Sequence, residues 1–302
     1  MILKPFQYWR HRVLQKGPIR LAMTILVKNE ADIIEDNIRF HASQGVDCFA
    51  VMDNGSNDGT REILERLSSE FDLHIIDQPE QNYQQARWMT QLADYCRVSL
   101  KADLVISNDA DEFWQAESSG TLKDYLKRTD SIVTVRRYNM ALDDSALQDQ
   151  FHYADTCLRV KNPILYDSTT QINETAVAML LIKISPKTIV NPHGLIRMKG
   201  GNHRAKHGWR LINARAEPGI SVHHYPIRNY HQFEQNIINR KRLLETTQAK
   251  MGDHYRRWVQ IYNEGNLKKE FDRFILNKQE IDVLLKLGVL ETKKLNIPSS
   301  QI

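Results

Sequence analysis

Four short apolar segments alternate with amphipathic segments in the first third of the chain, and this alternation is the strongest constraint on its fold. The apolar segments read LAMTILV (residues 21–27), CFAVMD (48–53), LHIID (73–77) and DLVISND (103–109). Apolar residues at helical spacing predict helices between them, over 31–44, from a cap at Thr60 onward, and over about 84–98. Strands that alternate with such helices are typical of a parallel sheet covered on both faces, so the sequence predicts an α/β fold.

The pattern changes after Trp114, where the predicted strands are joined by irregular segments. These strands read SIVTVRRYNMAL (131–142), TCLRV (156–160) and MLLIKI (179–184). We therefore expect the parallel sheet to continue as a mixed sheet, and helical spacing returns beyond YHQF at 230–233. The predicted organisation is a basic lead-in (1–19), one main domain (20–230) and a helical C-terminal extension (231–302).

Composition excludes some classes of partner and location. The 302 residues carry a formal net charge of +4, which is compatible with anionic ligands, but the basic residues are dispersed, so we expect no nucleic-acid partner. Cys48, Cys96 and Cys157 have no paired spacing, which favours a reducing compartment. Because the N-terminal residues also lack an apolar stretch long enough for a signal peptide or a membrane span, we expect a cytoplasmic protein.

The N-terminal lead-in mixes aromatic and basic side chains. Its members are Phe6, Tyr8, Trp9, Arg10, Arg12 and Lys16. We expect this segment to dock on the fold, with a peripheral contact at the anionic inner face of a membrane as the alternative. The sequence leaves the oligomeric state open.

Polar and acidic side chains follow three of the four predicted strands. Asn29 and Glu30 follow the first, Asp53 ends the second, and Asp109 and Asp111 end the fourth. Because the carboxyl ends of parallel strands meet at one edge of a sheet, we expect these side chains to lie at one rim. An Asp-x-Asp pair there suits Mg²⁺ or Mn²⁺, which take oxygen ligands and bridge carboxylates to phosphates.

Two stretches resemble a known enzyme family. ILVKNEADIIEDNIRFHASQGVDCFAVMDNGSNDGT, followed by SNDADEFW, is similar to the nucleotide-sugar-dependent glycosyltransferases of the GT-A fold, family 2, in the subgroup with Asp-x-Asp-Glu-Phe. A looser similarity continues through GGNHR and HHYPIRNYHQFEQNI. The resemblance implies a Rossmann-like GT-A domain over 20–230, with a mixed central sheet.

The resemblance also implies roles for particular residues. Asn29 and Glu30 would contact the nucleoside and Asp53 the base, Asp109 would lie near the ribose or the metal, and Asp111 would be the main metal ligand. His224 is the best match to a late histidine that completes the metal site, and His203 is the competitor. Arg87 and Arg228 are positioned in the sequence to reach the diphosphate, and Arg228 is favoured because it is four residues after His224.

The catalytic base is left open. Inverting members carry a Glu-Asp pair after the metal motif, and this sequence has none that is clear, so the candidates are Glu174, Asp155 and Glu217. Glu112 is not expected to be the base, because beside the metal motif it would orient the loop or a metal-bound water.

The predicted function is the metal-dependent transfer of a sugar from a UDP- or GDP-sugar to a hydroxyl of a glycan or lipid-linked acceptor. By family analogy the setting is bacterial surface polysaccharide or lipopolysaccharide synthesis. A nucleotidyltransferase is one alternative, although VKNEAD after the first strand offers no phosphate-cradling glycine. A non-catalytic nucleotide-sugar-binding protein of the same fold is the other. Donor base and sugar, acceptor and stereochemical outcome stay open.

Overall fold

The computed structural model describes residues 8–9, 11, 16–80, 84–147, 153, 155–165, 179–208, 213–246 and 253–296. The chain divides into two compact units. The first comprises Met1–Arg137, Ser185–Val222 and Asn296–Ile302, and the second Tyr138–Ile184 and His223–Leu295. This division differs from the predicted boundary at residue 230, because residues 138–184 join the unit of the C-terminal helices.

An eight-stranded mixed sheet is the framework of the fold. Its strands are β1 (Leu21–Val27), β2 (Cys48–Asp53), β3 (Leu73–Asp77), β4 (Leu104–Asp109), β5 (Glu112–Ala116), β6 (Ile132–Asn139), β8 (Lys187–Val190) and β11 (Ala214–His224), in the order β3-β2-β1-β4-β8-β6-β11-β5. The strands β1 to β4 are parallel, and β8 is antiparallel to both β4 and β6. The predicted mixed sheet and α/β class are confirmed.

Helices pack on the parallel half of the sheet, as the alternating pattern predicts. They are α1 (Ile34–Ser43), α2 (Thr60–Leu67) and α3 (Gln85–Val98). Trp88, Met89 and Leu92 of α3 are buried in one cluster with Ala50 of β2 and Val105 of β4. The same cluster includes the buried residues of a hairpin formed by β9 (Leu195–Met198) and β10 (Ala205–His207).

Two predictions about local structure are wrong. The apolar run MLLIKI forms a short 3₁₀ turn at Met179–Leu181 instead of a strand, and the strand begins later, at Lys187. A short apolar run does not distinguish a strand from a turn of helix by its periodicity, which explains the error. Thr60 is the first residue of α2 and not its cap, because Gly59 adopts the left-handed conformation that precedes the helix.

The second unit is mainly helical, and the predicted helical C-terminal region is confirmed. Its described helices are α4 (Tyr230–Thr246), α5 (Asp253–Asn263), α6 (Leu267–Asp272) and α7 (Lys278–Lys286), beside a two-stranded sheet of β7 (Leu158–Val160) and β12 (Leu290–Thr292). Phe233 and Phe274 pack edge-to-face on Trp258, at 5.3 and 5.8 Å between ring centroids. Within the described ranges, no helix combines the length and the apolar composition that a membrane span requires.

Candidate active site

The register of the parallel strands brings the predicted acidic residues to one edge of the sheet. Val27 of β1 pairs with Asp53 of β2, and Leu26 of β1 pairs with Asp109 of β4. The two carboxylates therefore end the strands on either side of β1. The predicted rim is present. The loops that follow these strands supply its other polar side chains.

The loops after β1 and β2 are joined by hydrogen bonds. Asn29, which has a positive φ of 58°, accepts from the backbone N–H of Asn57 at 2.9 Å through its side-chain oxygen. Asp53 is 6% exposed and accepts from the N–H of Ser56 at 2.9 Å. The N–H of Glu30 donates to the hydroxyl of Thr60 at 2.9 Å. The three residues predicted to contact the nucleoside thus share one fixed pair of loops.

Two buried cations neutralise the acidic residues at the end of β4. The ammonium of Lys187 is fully buried, donates to Asp109, and lies 3.0 Å from Glu112. Arg137 donates to the same Oε1 of Glu112 at 2.7 Å. Because Glu112 is itself fully buried, these ion pairs are what make its charge tolerable in the fold.

The buried lysine is held in its charged form. Burial alone would lower the pKa of Lys187, but the charges of Asp109 and Glu112 outweigh burial and raise the pKa above the ordinary lysine value. The second oxygen of Glu112, Oε2, is buried and has no hydrogen-bond donor among the described residues. A carboxylate oxygen of Asp111 and one of Glu112 lie within 4.8 Å of each other. Glu112 therefore has one carboxylate oxygen without a hydrogen-bond donor among the described residues, close to the carboxylate of Asp111.

Lys187 was missed by the sequence analysis, and the direction of β8 explains its position. Because β8 is antiparallel to β4, its first residue lies beside the last residues of β4. Val135 of β6 pairs with Lys187 on the other side. The available signal was Lys187 itself, a polar residue at the start of the short apolar stretch of β8. The signal was not recognised because the strand was predicted at 179–184.

The remaining contacts of Asp109 come from amide side chains. Its Oδ1 accepts from Gln85 at 3.3 Å and from Asn202 at 3.2 Å, neither of which was predicted. His203 follows Asn202, is half-buried, and lies with Nδ1 3.0 Å from the carbonyl of Pro186. Burial, aided by the positive charge of Lys187, lowers the pKa of His203 to about 4, so the imidazole is neutral, the form in which histidine binds metals.

A buried polar network holds the turn that carries Asp111. The amide of Asn37 in α1 donates to the carbonyls of Ala110 at 2.8 Å and Glu112 at 2.9 Å, on both sides of Asp111. The indole of Trp114 donates to Asn108 at 2.8 Å. These contacts explain why polar residues and a tryptophan follow an apolar strand in this sequence, since each satisfies another in the interior.

His41 of α1 belongs to this network and is buried in its neutral form. Its Nε2 accepts from the N–H of Trp114 at 2.9 Å, and its Nδ1 lies 2.7 Å from the carbonyl of Asn37. Burial lowers the pKa of His41 to about 3. The unfolded chain takes up this proton near the ordinary histidine pKa of about 6.5, and the folded protein does so only at lower pH.

Protonation of His41 therefore makes stability depend on pH. The stabilisation is complete above the unfolded pKa and is lost as the pH falls toward the folded value of about 3. We expect His41→Gln to remove about 2 kcal/mol of the stability loss that occurs between about pH 7 and about pH 5. Urea unfolding of both proteins at the two pH values measures this difference. Equal pH dependence in the two proteins would contradict the expectation.

Of the three candidate bases, Glu217 is the one that the described residues place in the same unit as Asp109. Glu217 lies on β11, where it binds Arg215 and accepts from the N–H of Gly219 at 2.8 Å. The carbonyl of Gly219 bonds the N–H of Glu117, just beyond the end of β5 opposite Glu112. Asp155 is exposed in the second unit. Glu174 lies outside the described residues. The identity of the base stays a prediction.

The other predicted ligands have varied surroundings. Arg87 of α3 is 56% exposed and donates to Gln84 at 3.2 Å. Arg228, in the second unit, is only 1% exposed, and its role at the diphosphate stays a prediction. His224, in the same unit, bonds the side-chain oxygen of Asn139 through Nδ1 at 2.7 Å. A metal-binding role for His224 stays a prediction.

Part of the N-terminal lead-in docks on the first unit, as expected. Tyr8 is buried, donates to the carbonyl of Thr129, and packs edge-to-face on His207 at 5.1 Å between ring centroids. Trp9 is 51% exposed. Phe6, Arg10 and Arg12 lie outside the described residues, and contact with a membrane stays a prediction.

Comparison with solved structures finds alignments at low sequence identity. TarS from S. aureus aligns over 82% of this chain and 43% of its own, with 10% identity and a TM-score of 0.42. TarS 1-349 in complex with UDP-GlcNAc aligns over 84% of this chain and 72% of its own, with 9% identity and a TM-score of 0.40. This chain thus spans less than half the length of the longer TarS structure.

A third structure aligns over a smaller part of the chain. Glucosyl-3-phosphoglycerate synthase from Mycobacterium tuberculosis, in complex with Mn²⁺, uridine-diphosphate and glucosyl-3-phosphoglycerate, aligns over 45% of this chain and 48% of its own, with 14% identity and a TM-score of 0.28. None of the curated proteins compared with the sequence is significantly similar to it.

Comparison with protein families gives a direct assignment. The model of the family described as Glycosyl transferase family 2 matches residues 24–182, more than half of the chain. The match includes the strand ends with Asp53 and Asp109 and the turn with Asp111. The chain belongs to glycosyl transferase family 2 and has the GT-A fold.

Proposed function

We propose that the chain transfers a sugar from a nucleoside diphosphate donor, a UDP- or GDP-sugar, to a hydroxyl of a glycan or lipid-linked acceptor, with Mn²⁺ or Mg²⁺. The observation that carries the proposal is the acidic turn after β4, where carboxylate oxygens of Asp111 and Glu112 lie within 4.8 Å of each other, beside a buried lysine in a family 2 fold. Synthesis of a bacterial surface polysaccharide or lipopolysaccharide is the proposed setting.

The residues of this turn fit a divalent cation with oxygen ligands. Glu112 Oε2 is buried without a donor among the described residues, and an oxygen of Asp111 lies within 4.8 Å of a Glu112 oxygen. Asp111 and Glu112 would hold the ion, with His203 of the same unit as the candidate to complete its ligands. Bound there, Mn²⁺ or Mg²⁺ would stabilise the negative charge of the departing diphosphate.

Protein side chains have separate tasks in this proposal. Lys187 and Arg137 hold Glu112 in place through ion pairs. Asn29 and Asp53 form the nucleoside side of the rim, where the loop hydrogen bonds fix them before a ligand arrives. Pre-formed contacts of this kind reduce the entropy that binding would otherwise cost.

Donor hydrolysis tests the proposal without knowledge of the acceptor. The purified protein is incubated with a panel of UDP- and GDP-sugars, and the released nucleoside diphosphate is measured. We expect one donor to be hydrolysed with Mn²⁺ or Mg²⁺, and the rate to fall at least about tenfold when EDTA removes the metal. Absence of release from every donor, in a protein that nonetheless binds one, would favour the non-catalytic alternative.

The nucleotidyltransferase alternative has its own product. The same protein is incubated with nucleoside triphosphates and sugar 1-phosphates, and pyrophosphate release is measured. Pyrophosphate release without any hydrolysis of nucleotide sugars would overturn the proposed transfer.

A further inference from the structure

The outer face of the β9–β10 hairpin presents four cations. Arg197 pairs directly with Lys206 across the two strands, and the N–H of Lys199 bonds the carbonyl of Arg204 one step further on. The side chains of Arg197, Lys199, Arg204 and Lys206 are exposed, whereas Met198 and Ala205, which lie between them on the two strands, are buried. Like charges that face each other across a hairpin destabilise it, so the repulsion between these cations lowers the stability of the hairpin.

No carboxylate offsets these charges in the part of the chain that the structure describes. Neither Arg197 nor Lys199 has an ion pair there, and the same holds for Arg204 and Lys206. An anion from outside the chain would remove the repulsion between them.

A cavity lies between this hairpin and α3. Its volume is about 580 Å³, and its lining residues are Ala86, Arg87, Thr90, Gln91, Arg197, Met198, Lys199 and Gly200. A space of this size is in the range of sites that hold small molecules. The hydroxyl of Thr90 accepts from the N–H of Met198 at 2.9 Å, which fixes the hairpin against the helix.

On each side of the cavity, a residue next to or near its wall also contacts Asp109. Gln85, next to Ala86 in the wall, donates to Asp109 at 3.3 Å and accepts from the N–H of Gly201 at 2.9 Å. On the other wall, Gly200 is two residues from Asn202, which also binds Asp109. A molecule in the cavity would therefore lie beside the place where the donor is proposed to react.

We propose that this cavity binds the anionic part of the acceptor, a saccharide that carries a phosphate or a carboxylate, through Arg87, Arg197 and Lys199. The inference rests on the proposed function, and it names the substrate class of that site. Arginine and lysine bind such oxyanions through charge-assisted hydrogen bonds. A saccharide is favoured over a membrane surface because Arg87 of α3 and Arg197 and Lys199 of the hairpin line one space between these two elements.

Calorimetric titration with small probes tests the proposal. Glucose 6-phosphate, glucuronate and glucose are titrated into the full chain saturated with UDP and Mg²⁺. We expect the phosphate or the carboxylate sugar to bind at least about tenfold more tightly than glucose. The two anionic probes distinguish the two oxyanions, and saturation with UDP separates this cavity from the donor diphosphate site.

A charge-matched pair of variants locates the binding. Arg197→Gln/Lys199→Gln should weaken anion binding at least about tenfold. Lys278→Gln/Lys286→Gln removes the same charge from exposed positions of α7 and should leave the affinity unchanged. Equal affinity of glucose and both anions, or unchanged binding in the hairpin variant, would overturn the proposal.

Two further results would overturn the proposal by giving these cations a different binding partner. Competition between UDP and glucose 6-phosphate would make the cavity part of the donor site. Binding to vesicles of phosphatidylcholine and phosphatidylglycerol that depends on Arg197 and Lys199, without binding of either anionic sugar, would make the hairpin a membrane surface. Failure of the proposed function would appear separately, as absent binding of both UDP and GDP in the same titrations.

Discussion

Asp111→Asn is expected to reduce donor hydrolysis at least about a thousandfold and to leave the protein folded. Asparagine keeps the size of the side chain but removes the charge that a divalent cation requires from its main ligand. Asp111 is only partly buried, and Asn37 fixes the turn through the backbone carbonyls on either side of it. The melting temperature should therefore stay within about 2 °C of the wild-type value.

Asp282→Asn is the matched control. Asp282 is exposed on α7, so the same change there should leave both hydrolysis and stability unchanged. Activity of Asp111→Asn near the wild-type rate would show that Asp111 does not bind the metal, and the proposed mechanism would fail at its first step.

Lys187→Met is expected to lower the free energy of unfolding by about 3–5 kcal/mol. Methionine fills a similar volume, but among the described residues the substitution leaves the fully buried Glu112 with Arg137 as its cation partner and Asp109 with the amide donors Gln85 and Asn202. Removal of one partner from a buried ion pair costs far more than the pair itself contributes, because the remaining charge is poorly solvated. Urea unfolding at neutral pH measures the change.

Two further variants separate charge from packing. Lys183→Met alters an exposed lysine four residues earlier and should change stability by less than about 0.5 kcal/mol. Glu112→Gln added to Lys187→Met should restore part of the lost stability, because it removes the carboxylate that was left uncompensated. A double variant no more stable than Lys187→Met alone would show that the lysine acts through packing and not through charge.

The rim of the sheet was predictable from sequence because its cause is local. Each apolar run from residue 21 to 109 ends in polar residues, and parallel pairing necessarily brings Asp53 and Asp109 to the same edge. The turn residues Asp111 and Glu112 follow directly in the chain. Their family roles stay predictions, but their common location required only the alternation of strands and helices.

The cation that pairs with these acidic residues, Lys187, was not predictable from sequence in the same way. Lys187 is 78 residues from Asp109, and the two meet because β8 inserts antiparallel next to β4. No periodicity in the sequence specifies which strand inserts there. The apolar run at 179–184 led to a predicted strand at those residues and not at Lys187. Arg228 is buried, and its predicted contact with the diphosphate stays a prediction.

Anomalous diffraction from crystals grown with Mn²⁺ and UDP tests the central claim most directly. We predict a manganese peak bonded to a carboxylate oxygen of Asp111, with the diphosphate of UDP attached to the same ion. Manganese and nucleotide bound away from the turn at residues 109–112, with the carboxylate of Asp111 facing only water, would contradict the account.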